Sequence, residues 1–230
     1  MQRQKCSMTE YIIKELKNHA PFTGFGALTA IFIILVSLNM AKDISYNIFY
    51  VLHPLHVVLS ALVTASIYKF HSCDRFSKKC IRGECNFWIL LLIGYLGSIG
   101  IASLSDSVIP YLGEILLDMP NRGIHIGFIE KWWLVNPLAI AGIVFAYFKP
   151  TTKVPHAGHV LLSSWASLFH ILMAVGISLP WYSYPAIFLF LFLGVWIPCC
   201  LSDIVFSLLF VKYNHYKASI REDAGYRSAN

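Results

Sequence analysis

His53-Pro-Leu-His56-Val-Val-Leu-Ser60-Ala-Leu-Val-Thr64 lies inside one long apolar run, and His156-Ala-Gly-His159-Val-Leu-Leu-Ser163-Ser-Trp-Ala-Ser167 lies inside another. Aligned without gaps, five of the twelve positions are identical, including both histidines and the serine, and Thr64 against Ser167 adds a conservative match. A second pair of segments repeats in the same order. Leu104-Ser105-Asp106 stands against Leu201-Ser202-Asp203, with Leu92, Leu96, Gly97 and Val108 matching Leu189, Leu193, Gly194 and Val205 at the same offset. Matching leucines carry little weight, because apolar helices resemble each other by composition. Matching His, His, Ser and Asp carries far more, because such residues are costly in lipid.

Around these segments the composition is that of a membrane chain. Of 230 residues, 57% are hydrophobic and only 13% charged, where a soluble domain carries about 25% charged. That deficit excludes an ordinary cytosolic enzyme, a disordered protein and, despite the net charge of +6, a nucleic-acid binder. A membrane-crossing helix needs about 20 mostly apolar residues. Such runs are predicted at about 23–41, 46–68, 87–111, 132–148, 157–179 and 185–211. The polar residues before the first run are helical in period, with Tyr11, Ile12, Ile13 and Leu16 set against Lys14, Glu15 and Lys17. They read as a short interfacial helix rather than a cleaved signal peptide.

The basic residues orient the spans. With the N-terminus in the cytoplasm, 15 of the 18 Lys and Arg fall inside, and only Lys42, Arg122 and Lys131 fall outside. This is the positive-inside bias. Trp132, Trp133, Trp181 and Tyr184 mark span ends on the outer side, and Trp88, Tyr147 and Tyr213 mark the inner. The expected fold is therefore an all-α integral membrane protein of six transmembrane helices with both termini cytoplasmic, in the cytoplasmic or plasma membrane. Each repeat holds three spans, an odd number, so the second enters from the opposite face and the two form an inverted-topology repeat. The divisions are an interfacial segment 1–22, a first three-helix repeat 23–112, an outer loop 113–131, a second repeat 132–212 and a cytoplasmic tail 213–230.

At about 100° per residue, His156, His159, Ser163, Ser167 and His170 share an arc of about 80°, and His53, His56, Ser60 and Thr64 fall on the same angles. Each helix presents one polar stripe, which must face the protein interior or a wet cavity. Histidines at i and i+3 can hold one ion, and a carboxylate from a neighbouring span completes the set. The expectation is two related metal sites, His53, His56 and Asp106 toward one face and His156, His159 and Asp203 toward the other. Ser60, Thr64, Ser163, Ser167 and His170 would line a pathway between them. Such donors suit zinc first, then manganese or iron(II). A single histidine of this kind is commonly a hydrogen-bonded packing residue and the serines commonly join helices; the repetition of the whole set is what favours a functional reading.

Outside the repeat, Glu114, His125 and Glu130 read as a solvated outer loop, and Cys73, Cys80 and Cys85 have no recognised zinc spacing. Nucleotide-binding, serine-hydrolase and zinc-protease motifs are absent. The reading that follows is a small transporter for a divalent transition-metal cation, with protons as a natural coupling ion. The alternatives are a membrane-embedded metal-dependent enzyme acting on a lipid-like substrate, a His/Asp proton relay, or a redox membrane protein. Lipids and the cation are the expected partners, and so small a chain could form a homodimer to enclose a pathway.

Overall fold

Backbone N–H and C=O groups withdrawn from water must bond within their own segment, and a long apolar run achieves this as a helix. In the computed structural model the described residues are 8–37, 42–72, 87–176 and 179–200, and every regular element among them is helical. In chain order these are α1 (Met8–Ser37), α2 (Lys42–Ser72), α3 (Phe87–Ser103), a π-helical turn (Leu104–Val108), α4 (Ile109–Leu116), α5 (Gly127–Glu130), α6 (Trp132–Phe148), α7 (Lys153–Ala174) and α8 (Ser183–Cys200).

Four stretches are long and apolar enough to cross a membrane: His19–Ser37, Lys42–Phe70, Phe87–Leu116 and Ala157–Ala174. Trp132–Phe148 and Ser183–Cys199 are apolar but shorter. The last expected span, 185–211, runs past the described residues, as do the tail 213–230 and the basic loop with Cys73, Cys80 and Cys85. At the start of the described residues one helix covers both sides of residue 22. α1 runs unbroken through Pro21, whose ring sacrifices only one hydrogen bond while the helix continues on both sides.

The third span also differs from expectation. It continues beyond residue 111 to Leu116, passing through the π turn on the way. Pro110 has no N–H to offer the carbonyl of Asp106, so the ordinary i to i−4 ladder cannot close there. The Ile109 N–H bonds instead to the Leu104 carbonyl, five residues back. That wider turn holds Ser105, Asp106 and Ser107, all buried.

α2 and α7 lie side by side at the centre. α3 and α6 pack on α2 and on each other, while α8 and α1 pack on α7 and on each other. Small residues allow the approach. A Cβ on Gly142 of α6 would stand 2.6 Å from the Val58 carbonyl oxygen of α2, and one on Gly94 of α3 would stand 2.8 Å from Ile143 of α6. The distribution of side chains is inside-out for water. Phe32 is 68% exposed and Trp88 73%, while His53, His56, Asp106, Glu114 and His170 are fully buried. Large exposed apolar belts of this kind suit a lipid surround.

Candidate functional site

The polar stripes read from the helical period meet at the α2–α7 seam. His53, His56, Ser60 and Thr64 of α2 and His159, Ser163, Ser167 and His170 of α7 are all buried. The π turn inserts between them and supplies Asp106. One oxygen of this carboxylate, Oδ2, lies 2.9 Å from His53 Nδ1 and 2.7 Å from His56 Nδ1. The other, Oδ1, accepts the Ser105 hydroxyl at 2.7 Å and the Ser163 hydroxyl at 2.8 Å. An ionised carboxylate accepts all four bonds at once, with an Nδ1–H donated by each imidazole. Ser167 anchors the same turn, donating to the Ser105 carbonyl at 2.9 Å.

With both Nδ1 atoms engaged, the reactive edges of the two imidazoles are their Nε2 atoms. Both are buried and bonded to nothing among the described residues. The His53 ring is stacked on Phe49, with centroids 5.3 Å apart, and the His56 ring on His159, 5.9 Å apart and nearly parallel. Gly127 of α5 covers the His53 edge so closely that a Cβ there would stand 2.5 Å from Nε2.

The chain matches no protein-family model, no curated protein and no solved structure.

The geometry gathers His53, His56, Asp106, His159 and Ser163 into one centre. Of the second expected set, His159 joins the first site, the backbone of His156 lies in α7, and Asp203 is outside the described residues; Ser163, expected to line the pathway, also joins the first site. Among the described residues, no three His, Cys, Asp or Glu side chains are arranged as a ready-made metal cage. The physical reason is that Asp106 holds the Nδ1 side of both rings, as an orienting carboxylate does behind metal-binding histidines, rather than converging with their Nε2 atoms. An ion on the Nε2 atoms would need His159 to turn from its stack, or water, to fill its remaining positions. Beside the π turn, a cavity of about 340 Å³ opens between Leu104 and Ile109 on one side and Phe190, Leu193 and Gly194 of α8 on the other.

A second buried carboxylate was not legible in the sequence. Glu114 is fully buried, because α4 extends past the expected span end. The solvated-loop expectation is corrected for this residue. Its Oε1 lies 2.7 Å from His170 Nδ1, and its Oε2 accepts the Gly123 N–H at 3.3 Å. His170 Nε2 accepts the His125 backbone N–H at 3.3 Å. These two bonds fix His170 as the neutral Nδ1–H tautomer. Nearer the surface, Glu130 accepts a hydrogen bond from the Tyr50 hydroxyl and lies 3.4 Å from His125 Nδ1. The Lys131 ammonium sits over the Tyr46 and Tyr50 rings at 5.8 and 5.5 Å.

Proposed function

We propose that the chain is a small multi-pass membrane carrier for a divalent transition-metal cation, zinc before manganese or iron, with His53 and His56 as ligands and Asp106 as their orienting carboxylate. The observation that carries this reading is the pair of buried Nε2 atoms of His53 and His56, bonded to nothing among the described residues while Asp106 holds both Nδ1 atoms. A buried polar nitrogen without a partner is costly, and a cation that accepts imidazole nitrogen is the kind of ligand that would satisfy both.

The carrier reading also draws on the helix packing. If α1, α2 and α3 correspond to α6, α7 and α8, then exchanging the partners maps α2–α6 onto α7–α1, α2–α3 onto α7–α8 and α3–α6 onto α8–α1. That reciprocity supports two inverted repeats related across the α2–α7 seam, the architecture that lets two halves exchange conformations around a central site. The basic residues favour both termini in the cytoplasm and insertion in the cytoplasmic membrane. A homodimer fits the small size.

A metal-dependent enzyme acting on a lipid-like substrate is the second reading. It is favoured by the apolar cavity beside the turn that carries Asp106. Zinc flux into vesicles containing the purified protein separates the two. A carrier moves zinc and loses that movement in His53→Ala, His56→Ala and Asp106→Asn. Binding without flux, in wild-type protein, would refute the carrier and leave the enzyme.

A further inference from the structure

We infer that Glu114 and His170 form a second ion site, a proton site, whose loading frees the segment from His125 to Gly127, where the loop after α4 enters α5, from its seat over His53. The inference rests on the carrier reading only for what the proton is coupled to. Its physical basis is separate.

In the state described above, Glu114 is ionised, His170 is neutral, and the pair leaves a negative charge buried. The partners of His170 are Glu114 from α4, the backbone and ring of His125 from the loop, and Phe49 from α2. Glu114 and His125 are therefore the titratable groups that face it. Glu130, Tyr46 and Tyr50 stand one step further out, against His125 and one another. Among the described residues no Lys or Arg pairs with Glu114, and Arg122 of the same loop pairs with Asp118 at 3.2 Å. A proton added at His170 Nε2 makes an imidazolium whose Nδ1–H still rests on Glu114, and the pair becomes neutral overall.

The same proton destroys a bond. Nε2 is the acceptor for the His125 N–H, and once protonated it presents a donor to a donor. The loop must then lift away at His125. Gly127, two residues along, is the residue that covers the Nε2 edge of His53. Ser107, next to Asp106, also donates to the His125 carbonyl, so this segment touches both buried carboxylate centres. Proton loading at Glu114–His170 and access to His53 are thus linked through a few residues of backbone.

The test is hydrogen–deuterium exchange in detergent micelles, read at single-amide resolution between about pH 8 and about pH 5, across the range where histidine changes charge. Exchange is corrected for its intrinsic pH dependence. The His125 amide should lose protection on acidification by about fivefold or more, the factor expected for one hydrogen bond. The Asn121 amide, bonded to the Ala174 carbonyl at 3.2 Å, should keep its protection and serves as the control for folding. His125→Asn, which removes the loop's own titratable ring and keeps the amide, should behave as wild type. His170→Phe should leave residue 125 poorly protected at both ends of the range. A wild-type His125 amide whose protection tracks that of Asn121 throughout overturns the inference without recourse to any variant. Vesicles with an entrapped pH dye then address coupling: Glu114→Gln should bind zinc as wild type does but move it without protons. Proton movement equal to wild type in that variant refutes the coupling, whereas failure of wild-type protein to bind zinc refutes the carrier reading and leaves the exchange result standing.

Discussion

Asp106→Asn is the substitution from which most can be learned, because it changes charge while nearly preserving shape. The amide oxygen can face the two imidazoles, and the amide NH₂ can face Ser105 and Ser163, whose hydroxyls rotate to accept. The fold should survive, with two charge-assisted bonds reduced to neutral ones at a cost of about 2 kcal/mol in total. The effect on cation binding should be larger. A divalent ion on the Nε2 atoms would lie about 6 Å from the carboxylate oxygen, one imidazole and one metal–nitrogen bond of about 2.1 Å away. At an effective dielectric of about 20, the attraction between +2 and −1 at that separation is about 5 kcal/mol. Relaxation and water reduce this, so the expected loss of zinc affinity is at least about 100-fold, or roughly 2.7 kcal/mol. Ser163→Ala keeps the charge and removes one neutral donor, and should weaken binding by no more than about tenfold. Competition titration with a zinc-sensitive dye, with circular dichroism as the check on folding, measures both. Wild-type affinity in a folded Asp106→Asn protein would refute the electrostatic reasoning.

Three further outcomes follow from the packing. Gly127→Ala should destabilise the protein by about 1–3 kcal/mol, since its Cβ would stand 2.4 Å from His53 Cδ2; thermal unfolding in detergent reads this, and an unchanged midpoint would show that α5 does not rest on His53. Gly142→Val should prevent α6 from docking on α2, because backbone rather than a flexible side chain blocks it; loss of monodisperse protein on gel filtration is the expected sign, and wild-type behaviour would contradict the α2–α6 contact. Single cysteines placed at the two ends of the chain should both be shielded from an impermeant thiol reagent in intact cells, and labelling of either end would overturn the proposed orientation.

The helices were legible because lipid-length apolar runs have no soluble counterpart, and α6 falls on the predicted residues, 132–148. The buried stripes of α2 and α7 were legible because a period of 3.6 puts His53, His56, Ser60 and Thr64 on one face whatever their neighbours are. The period says nothing about which helix faces which. It therefore could not place Ser163 of α7 on Asp106 of the π turn, or reveal that the carboxylate takes the Nδ1 atoms and leaves Nε2. The π turn itself has no periodic signal. Glu114 was misplaced for a related reason. It has no polar counterpart in the repeat, where Val211 stands, and it lies beyond the apolar run that ends at about 111. Its burial depends on His170, whose counterpart is Ile67, so symmetry pointed away from the pair.

The most direct test of the central claim is elemental analysis of the detergent-purified protein after loading with zinc, manganese and iron in turn, beside His53→Ala/His56→Ala. Near-stoichiometric metal in the wild type that disappears in the double variant is the expected result. Metal retained equally by the double variant, or absent from the wild type under every loading condition, would contradict a cation site at His53 and His56.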